Sequence, residues 1–210
     1  MADPKKRINN TYTNKARKEG YLARSIYKLE EIDQKFHFFD TGVKAVLDIG
    51  CAPWSRLQYV SKNLEAKHKN RDKQNDPKII WFDLKKVEIG MPFVHTYQQD
   101  ITDHDAVRAI LDAQEITHFD VILSDMAPDT MGTSDIDAMR SIGLIEKTLR
   151  LYEEFLAPNG VFAIKVFMGP WFDELVRDLK KQRWAGTVRL FKPKACRKES
   201  KETYIVRVRK

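Results

Sequence analysis

The pattern of this 210-residue chain predicts an α/β fold: seven strands in a mostly parallel sheet, the last strand antiparallel, with helices on both faces. Three observations carry that expectation. From Val43 onward, short apolar runs alternate with stretches of helical period. Several of the runs, such as Ala45-Val46-Leu47 and Val121-Ile122-Leu123, are continuously apolar, as in strands buried on both faces. The last two strands are joined only by residues 192–201, too few for a crossover helix, so that pair should run antiparallel.

Residues 1–22 are polar and basic, with Tyr12 and Tyr21 among the charges, and read as an arm that is partly disordered when free. A single domain is expected over 23–210. Ser25 is placed to N-cap a first helix in which Ile26, Leu29, Ile32 and Phe36 share an apolar face. Lys28 lies at the rim of that face, in the first turn, where a cation opposes the helix dipole; alone it reads as a solvated lysine. Strands follow near 45–49, 79–83, 95–98, 119–124, 160–166, 187–191 and 202–208. Helices fall near 56–65, 104–113, 137–156 and 171–182, and the charged stretch 66–78 reads as a solvent loop.

The strand ends carry the candidates for chemistry. The first strand stops at Gly50, and open α/β sheets bind ligands at the carboxyl ends of their strands. A glycine there lets the backbone approach a ligand closely, although a plain βα turn has the same pattern. Asp83 ends the second strand, where an acidic residue can reach ribose hydroxyls; Asp100 and Ile101 follow the third, where an adenine edge could be met. Either aspartate could equally be a helix cap or turn residue. Asp125 ends the fourth strand, and Pro128 prevents an immediate helix. The polar loop 129–137 beyond it reads as a mobile wall over the crevice. Lys165 is set among Val161, Phe162, Ala163, Ile164, Val166 and Phe167, and burying an ammonium is costly without a partner. Lys165 either snorkels to water from the strand end or is held by Asp125, and buried lysines of the second kind recur as general bases. In the last strand Glu202, Tyr204 and Val206 share a face, and Glu202 reads as a paired carboxylate.

The net charge of +7 is unevenly spread: +6 over residues 1–28, +10 over 177–210 and −9 between. Two basic ends around an acidic centre point to a polyanion partner, nucleic acid first. Lys5, Lys6, Arg7, Lys15, Arg17, Lys18 and Arg24 should share one basic surface with Lys192, Lys194, Arg197, Lys198 and Lys201. No run of about 18 apolar residues suggests a membrane span, and the N-terminus lacks the apolar core of a secretory signal. Cys51 and Cys196 have neither metal-type spacing nor a disulfide framework, so a reduced, cytoplasmic, metal-free protein is expected, with a monomer as its assembly state.

Five segments together resemble a known family. Arg24-Ser25-Ile26-Tyr27-Lys28-Leu29, the Asp48-to-Pro53 stretch, Ser124-Asp125-Met126-Ala127-Pro128, Ile164-Lys165-Val166-Phe167 and Ser200-Lys201-Glu202-Thr203-Tyr204 have the order and spacing of the FtsJ-type ribose 2′-O-methyltransferases. The resemblance implies the S-adenosylmethionine-dependent methyltransferase (Rossmann-like) fold. It is strongest to the short bacterial form that methylates a uridine ribose in 23S-type, large-subunit ribosomal RNA. It implies a Lys-Asp-Lys-Glu catalytic set at Lys28, Asp125, Lys165 and Glu202. It also implies S-adenosyl-L-methionine bound by Asp48, Gly50, Cys51, Pro53, Trp54, Arg56, Asp83, Asp100, Ile101 and Asp125. The partner would be ribosomal RNA within the large ribosomal subunit.

A ribose 2′-hydroxyl is a poor nucleophile, and methyl transfer from a sulfonium needs an in-line approach, so positioning and a neutral lysine base are what such a set must supply. Two neighbours act on Lys165 in opposite senses: Lys28 disfavours its protonated form and Asp125 favours it. The chain departs from the family where D-x-G-x-x-P-G-G-W is usual: Trp54, Ser55 and Arg56 replace both glycines and the tryptophan. A tryptophan there could crowd the methionine end of the cofactor or pack against it. Alternatives are a transfer RNA substrate, or a non-catalytic RNA-binding assembly factor on the same fold. A nicotinamide dehydrogenase is disfavoured by the missing G-x-G-x-x-G.

Overall fold

The computed structural model describes residues 4–40, 42–50, 54–68, 76–86, 89–129, 131–197 and 199–209. The elements run α1 (Pro4–Lys18), α2 (Ile26–Phe36), β1 (Ala45–Ile49), α3 (Ser55–His68), β2 (Lys78–Asp83), β3 (Val94–Gln98), α4 (His104–Ala113), β4 (Phe119–Ser124), α5 (Ser134–Phe155), β5 (Leu156–Phe167), α6 (Phe172–Lys181), β6 (Thr187–Phe191) and β7 (Glu202–Val208). The seven strands form one sheet in the order β3-β2-β1-β4-β5-β7-β6. The pairs among β1 to β5 are parallel, and β7 is antiparallel to both β5 and β6. The order reverses between β1 and β4, which places a crevice at their carboxyl ends.

Period two divides the core. Leu47, Ile49, Ile122, Phe162, Ile164 and Ile205 pack on one face with residues of α4, α5 and α6. Val46, Val121, Val161, Ala163, Tyr204 and Val206 pack on the other with Leu29 and Ile32 of α2 and Leu57, Val60 and Leu64 of α3. Asp48 and Lys165 have the parity of this second set, so both project toward α2 and α3 rather than toward α5.

Five local expectations are revised. Ser25 precedes α2 but does not cap it; it has helical φ and ψ, and its hydroxyl lies 2.7 Å from that of Ser55 instead. The segment 4–18 is helical, and Ala16 near its end is buried against Ile26, Tyr27 and Ala195. Helix α5 begins at Ser134, so the polar loop beyond β4 is shorter than 129–137. That loop is also tied down: Asp137 accepts from the Met131 amide at 2.8 Å, and Arg140 donates to the Asp129 carbonyl at 2.9 Å. Strand β5 starts at Leu156, because the chain leaving α5 already pairs with Phe119 before a register shift. Trp171 has a left-handed φ of 64°, so α6 starts one residue later than the apolar pattern suggests.

Candidate active site

Helix α2 is held across the sheet by polar contacts on both sides. Tyr59 of α3 donates to Asp33 at 2.7 Å, and Ser55 meets Ser25. The amides of Lys194 and Ala195, in the β6–β7 connection, donate to Glu31 at 2.6 and 2.9 Å. These contacts bring Lys28, in the first turn of α2, against Glu202, the first residue of β7, with Nζ to Oε1 at 2.5 Å.

On the neighbouring strands the same face presents Lys165 and Tyr204, which are direct partners in the antiparallel register of β5 and β7. Asp125, the first residue beyond β4, meets both. Lys165 Nζ is 3.0 Å from Asp125 Oδ1 and also donates to the Asp125 carbonyl. Lys165 is only 8% exposed, so the ammonium does not snorkel to water. The Tyr204 hydroxyl lies 3.2 Å from Asp125 Oδ1 and 3.1 Å from Glu202 Oε1. It carries one hydrogen and donates to one carboxylate at a time. Burial pushes its ionisation well above the usual phenol range, and Asp125 and Glu202 push it further, so Tyr204 stays a donor. Lys28, Glu202, Tyr204, Asp125 and Lys165 thus form one connected chain. The four residues singled out as catalytic are brought together, and Tyr204 is a fifth that the motif reading left without a role. Its signal was available: i+2 from Glu202 and opposite Lys165 across the strands.

Arg56, the second residue of α3, closes the far side of Asp125. It is 3% exposed; its guanidinium donates to the Asp48 carboxylate and, at 3.4 Å, to the Ile49 carbonyl. It lies 4.0 Å from Asp125 Oδ2. Burial alone would raise the Asp125 carboxyl, but Lys165, then Arg56 and Lys28, outweigh it and hold that group well below the usual carboxylate range. Asp48 is fully buried beneath Arg56, so any influence on a ligand runs through that arginine.

The other crevice residues lie at the strand ends as the sheet topology requires. Asp83 accepts from the Lys85 amide at 3.0 Å, while Asp100 is exposed and accepts from the amide and hydroxyl of Thr102 at 2.9 and 2.8 Å. Ile101 is 6% exposed and packs into the core beneath the crevice. Cys51 and Pro53 lie outside the described residues. Gly50 has a φ of 66°, and a Cβ there would sit 2.7 Å from Met126 Cγ and 3.1 Å from its Cα. The close approach permitted at Gly50 is therefore made by the chain after Asp125, in addition to any ligand. Trp54 also adopts positive φ, 46°, and packs edge-on against Trp81, with its indole nitrogen buried and lacking a hydrogen-bond partner among the described residues. A crevice with a carboxylate at the end of β2, a glycine at the end of β1 and an indole donor beside it fits a nucleoside-bearing cofactor.

Arg24 and Arg197, one from each basic end, lie near enough for their charges to act on each other. Burial, then the charge of Arg197, lowers the Arg24 guanidinium from its usual value. Part of the remaining charge is internally paired, as in Lys15 with Glu19 and Glu30, and Lys201 with Asp135. Lys198 lies outside the described residues. No described helix is long and apolar enough to cross a membrane.

Comparisons with known proteins bear on the fold and the family. A family model described as FtsJ-like methyltransferase matches residues 21–210. The chain is 41% identical over 196 residues to the ribosomal RNA large subunit methyltransferase E of Desulfosudis oleivorans, covering 93% of this chain and 87% of that protein. It is 36% identical over 204 residues to the protein of the same name from Desulfatibacillum aliphaticivorans, with the same coverage. Among solved structures, one described as a ribosomal RNA methyltransferase from Plasmodium falciparum superposes with a TM-score of 0.73 at 27% identity, covering 90% of this chain and 98% of that one.

Proposed function

The chain belongs to the FtsJ-like methyltransferase family, and from that premise we propose that it transfers a methyl group from S-adenosylmethionine to a ribose 2′-hydroxyl of large-subunit ribosomal RNA, at a uridine. The observation that carries the reading is the buried Lys165 amine, 3.0 Å from Asp125, at the carboxyl end of the sheet. A lysine among apolar side chains with a carboxylate beside it has little use in a binding surface and a direct use as a proton acceptor.

S-adenosylmethionine supplies an electrophilic methyl on a positively charged sulfur. The protein's own task is to present the hydroxyl to it. Lys165, after releasing to solvent the proton it holds in its ion pair with Asp125, accepts the 2′-hydroxyl proton, and Asp125 keeps the amine aimed at the crevice. Lys28 and Glu202, joined at 2.5 Å, form the opposite wall and orient the ribose. The Tyr204 hydroxyl stands between the Glu202 and Asp125 carboxylates and donates to one or the other, which keeps the two walls at their separation. Holding reactants in line in this way is worth several kcal/mol of barrier. The cofactor would lie along Gly50, Trp54, Asp83, Asp100, Ile101 and Asp125, with Asp48 and Arg56 beneath and Cys51 and Pro53 in the same stretch.

Methyl incorporation from labelled S-adenosylmethionine into ribosomal RNA and isolated large subunits, followed by mapping of the modified nucleotide, tests the proposal. Near-complete loss of transfer is expected in Lys165→Ala and in Asp125→Ala with the fold intact. Transfer to transfer RNA alone would move the substrate. Calorimetry showing no cofactor binding by the folded wild type would favour a non-catalytic assembly factor.

A further inference from the structure

Arg56 departs from the residue type that its family motif carries, and neither cofactor binding nor proton transfer accounts for where its side chain points. A guanidinium in the first turn of a helix opposes the helix dipole, and a buried one is costly unless anions compensate it. Helix α3 has no acidic residue in its first turn, so compensation must come from outside the helix. Asp48 on β1 provides one carboxylate and Asp125 beyond β4 a second, 4.0 Å away. The six charged side chains Lys28, Arg56, Lys165, Asp48, Asp125 and Glu202 then balance, and Asp125 stands between two cations on opposite sides.

We propose that Arg56 is a positioning residue for methyl transfer: anchored by Asp48 and the Ile49 carbonyl, it fixes the Asp125 carboxylate from behind, so that Asp125 turns its other oxygen to Lys165 and Tyr204. The division of labour between the two oxygens supports this. Oδ2 faces Arg56, while Oδ1 takes the contacts to Lys165 at 3.0 Å and Tyr204 at 3.2 Å. An Asp125 free to rotate would present either oxygen to either cation, and the Lys165 amine would lose its fixed direction. The electrostatics run the same way, since Arg56 follows Lys165 among the charges that keep Asp125 ionised.

This inference rests on the proposed methyl-transfer function, and its test separates the two. Arg56→Gln removes both contacts and the cation that neutralises Asp48. The double variant Asp48→Asn/Arg56→Gln removes the unneutralised charge as well. If Arg56 served only to neutralise Asp48, the double variant would recover both stability and turnover. The expected result is that Arg56→Gln lowers Tm by roughly 10 °C, that the double variant regains most of it, and that kcat at saturating cofactor stays down by on the order of ten- to a hundredfold in both. Arg56→Lys, which keeps the charge without the fork, should fall between wild type and Arg56→Gln. A crystal structure of the double variant provides a readout independent of activity: Asp125 should leave its present rotamer and its contact to Lys165 should lengthen or alternate. Recovery of kcat to within about twofold in the double variant, or an Asp125 unmoved in that crystal structure, overturns the inference. A wild type that methylates no RNA overturns the proposed function instead, and the crystallographic measurement still decides the role of Arg56.

Discussion

Asp125 is the residue on which the site turns, because five groups from four elements converge on it or on its immediate partners. Its carboxyl is held below the usual range in the folded protein, whereas in the unfolded chain it should titrate near about 4. A folded value below the unfolded one means that ionised Asp125 contributes stability in full above pH of about 5, and that the contribution is lost as pH falls toward the folded value. Comparing thermal melts of wild type and Asp125→Asn across pH should therefore show the largest Tm gap near neutrality and a shrinking gap below a pH of about 4. A gap that stays constant down to the onset of acid unfolding would mean that Lys165 and Arg56 do not favour the ionised form as described.

Among the elements, the junction of β1 and β4 has little room for added volume. Gly50 donates its amide to the Phe82 carbonyl of β2, and the Asp125 amide donates to the Ile49 carbonyl, both at 3.0 Å, so the end of β1 is laced to β2 on one side and to the chain leaving β4 on the other, at the point where the crevice opens. Gly50→Ala combines a left-handed φ with a Cβ pressed against the Met126 backbone. A destabilisation of about 1–3 kcal/mol is expected, measurable by urea unfolding, with a matching loss of methyl transfer because the displaced segment carries Asp125. Helix α2 shows the complementary logic. It is anchored to α3 by Asp33 and to the β6–β7 connection by Glu31, which is why a lysine that alone resembles a solvated one becomes part of the site.

At the scale of the whole molecule, the basic N-terminal and C-terminal segments meet at the Ala16, Ile26, Tyr27 and Ala195 cluster, beside the mouth formed by Lys28 and Glu202. Contacts from such a surface go mainly to phosphates, so RNA affinity should fall steeply with salt. A filter-binding or fluorescence titration series from low to moderate salt should give a clearly negative slope of log affinity against log salt. Charge-removing changes at Arg24 and Arg197 should each reduce that slope by about one contact. An affinity that is flat with salt would remove this surface from the binding model. Lysines already paired, such as Lys15 with Glu19 and Glu30, are expected to matter less.

The amino-acid sequence alone determined the alternation of strands and helices and the antiparallel last pair, because burial period is a local property; its resemblance to the family singled out Lys28, Asp125, Lys165 and Glu202, which the structure brings together. It also marked Arg56 as a departure, without saying where the side chain would point. Only the tertiary structure decided that Tyr204 bridges two carboxylates, that Asp48 is sealed beneath Arg56, and that Ser25 pairs with Ser55 rather than capping its helix. These are contacts between residues up to 79 positions apart, set by strand register and by the packing of α2 and α3 on the sheet. No local pattern encodes such distances, since they arise when separate elements are packed against one core.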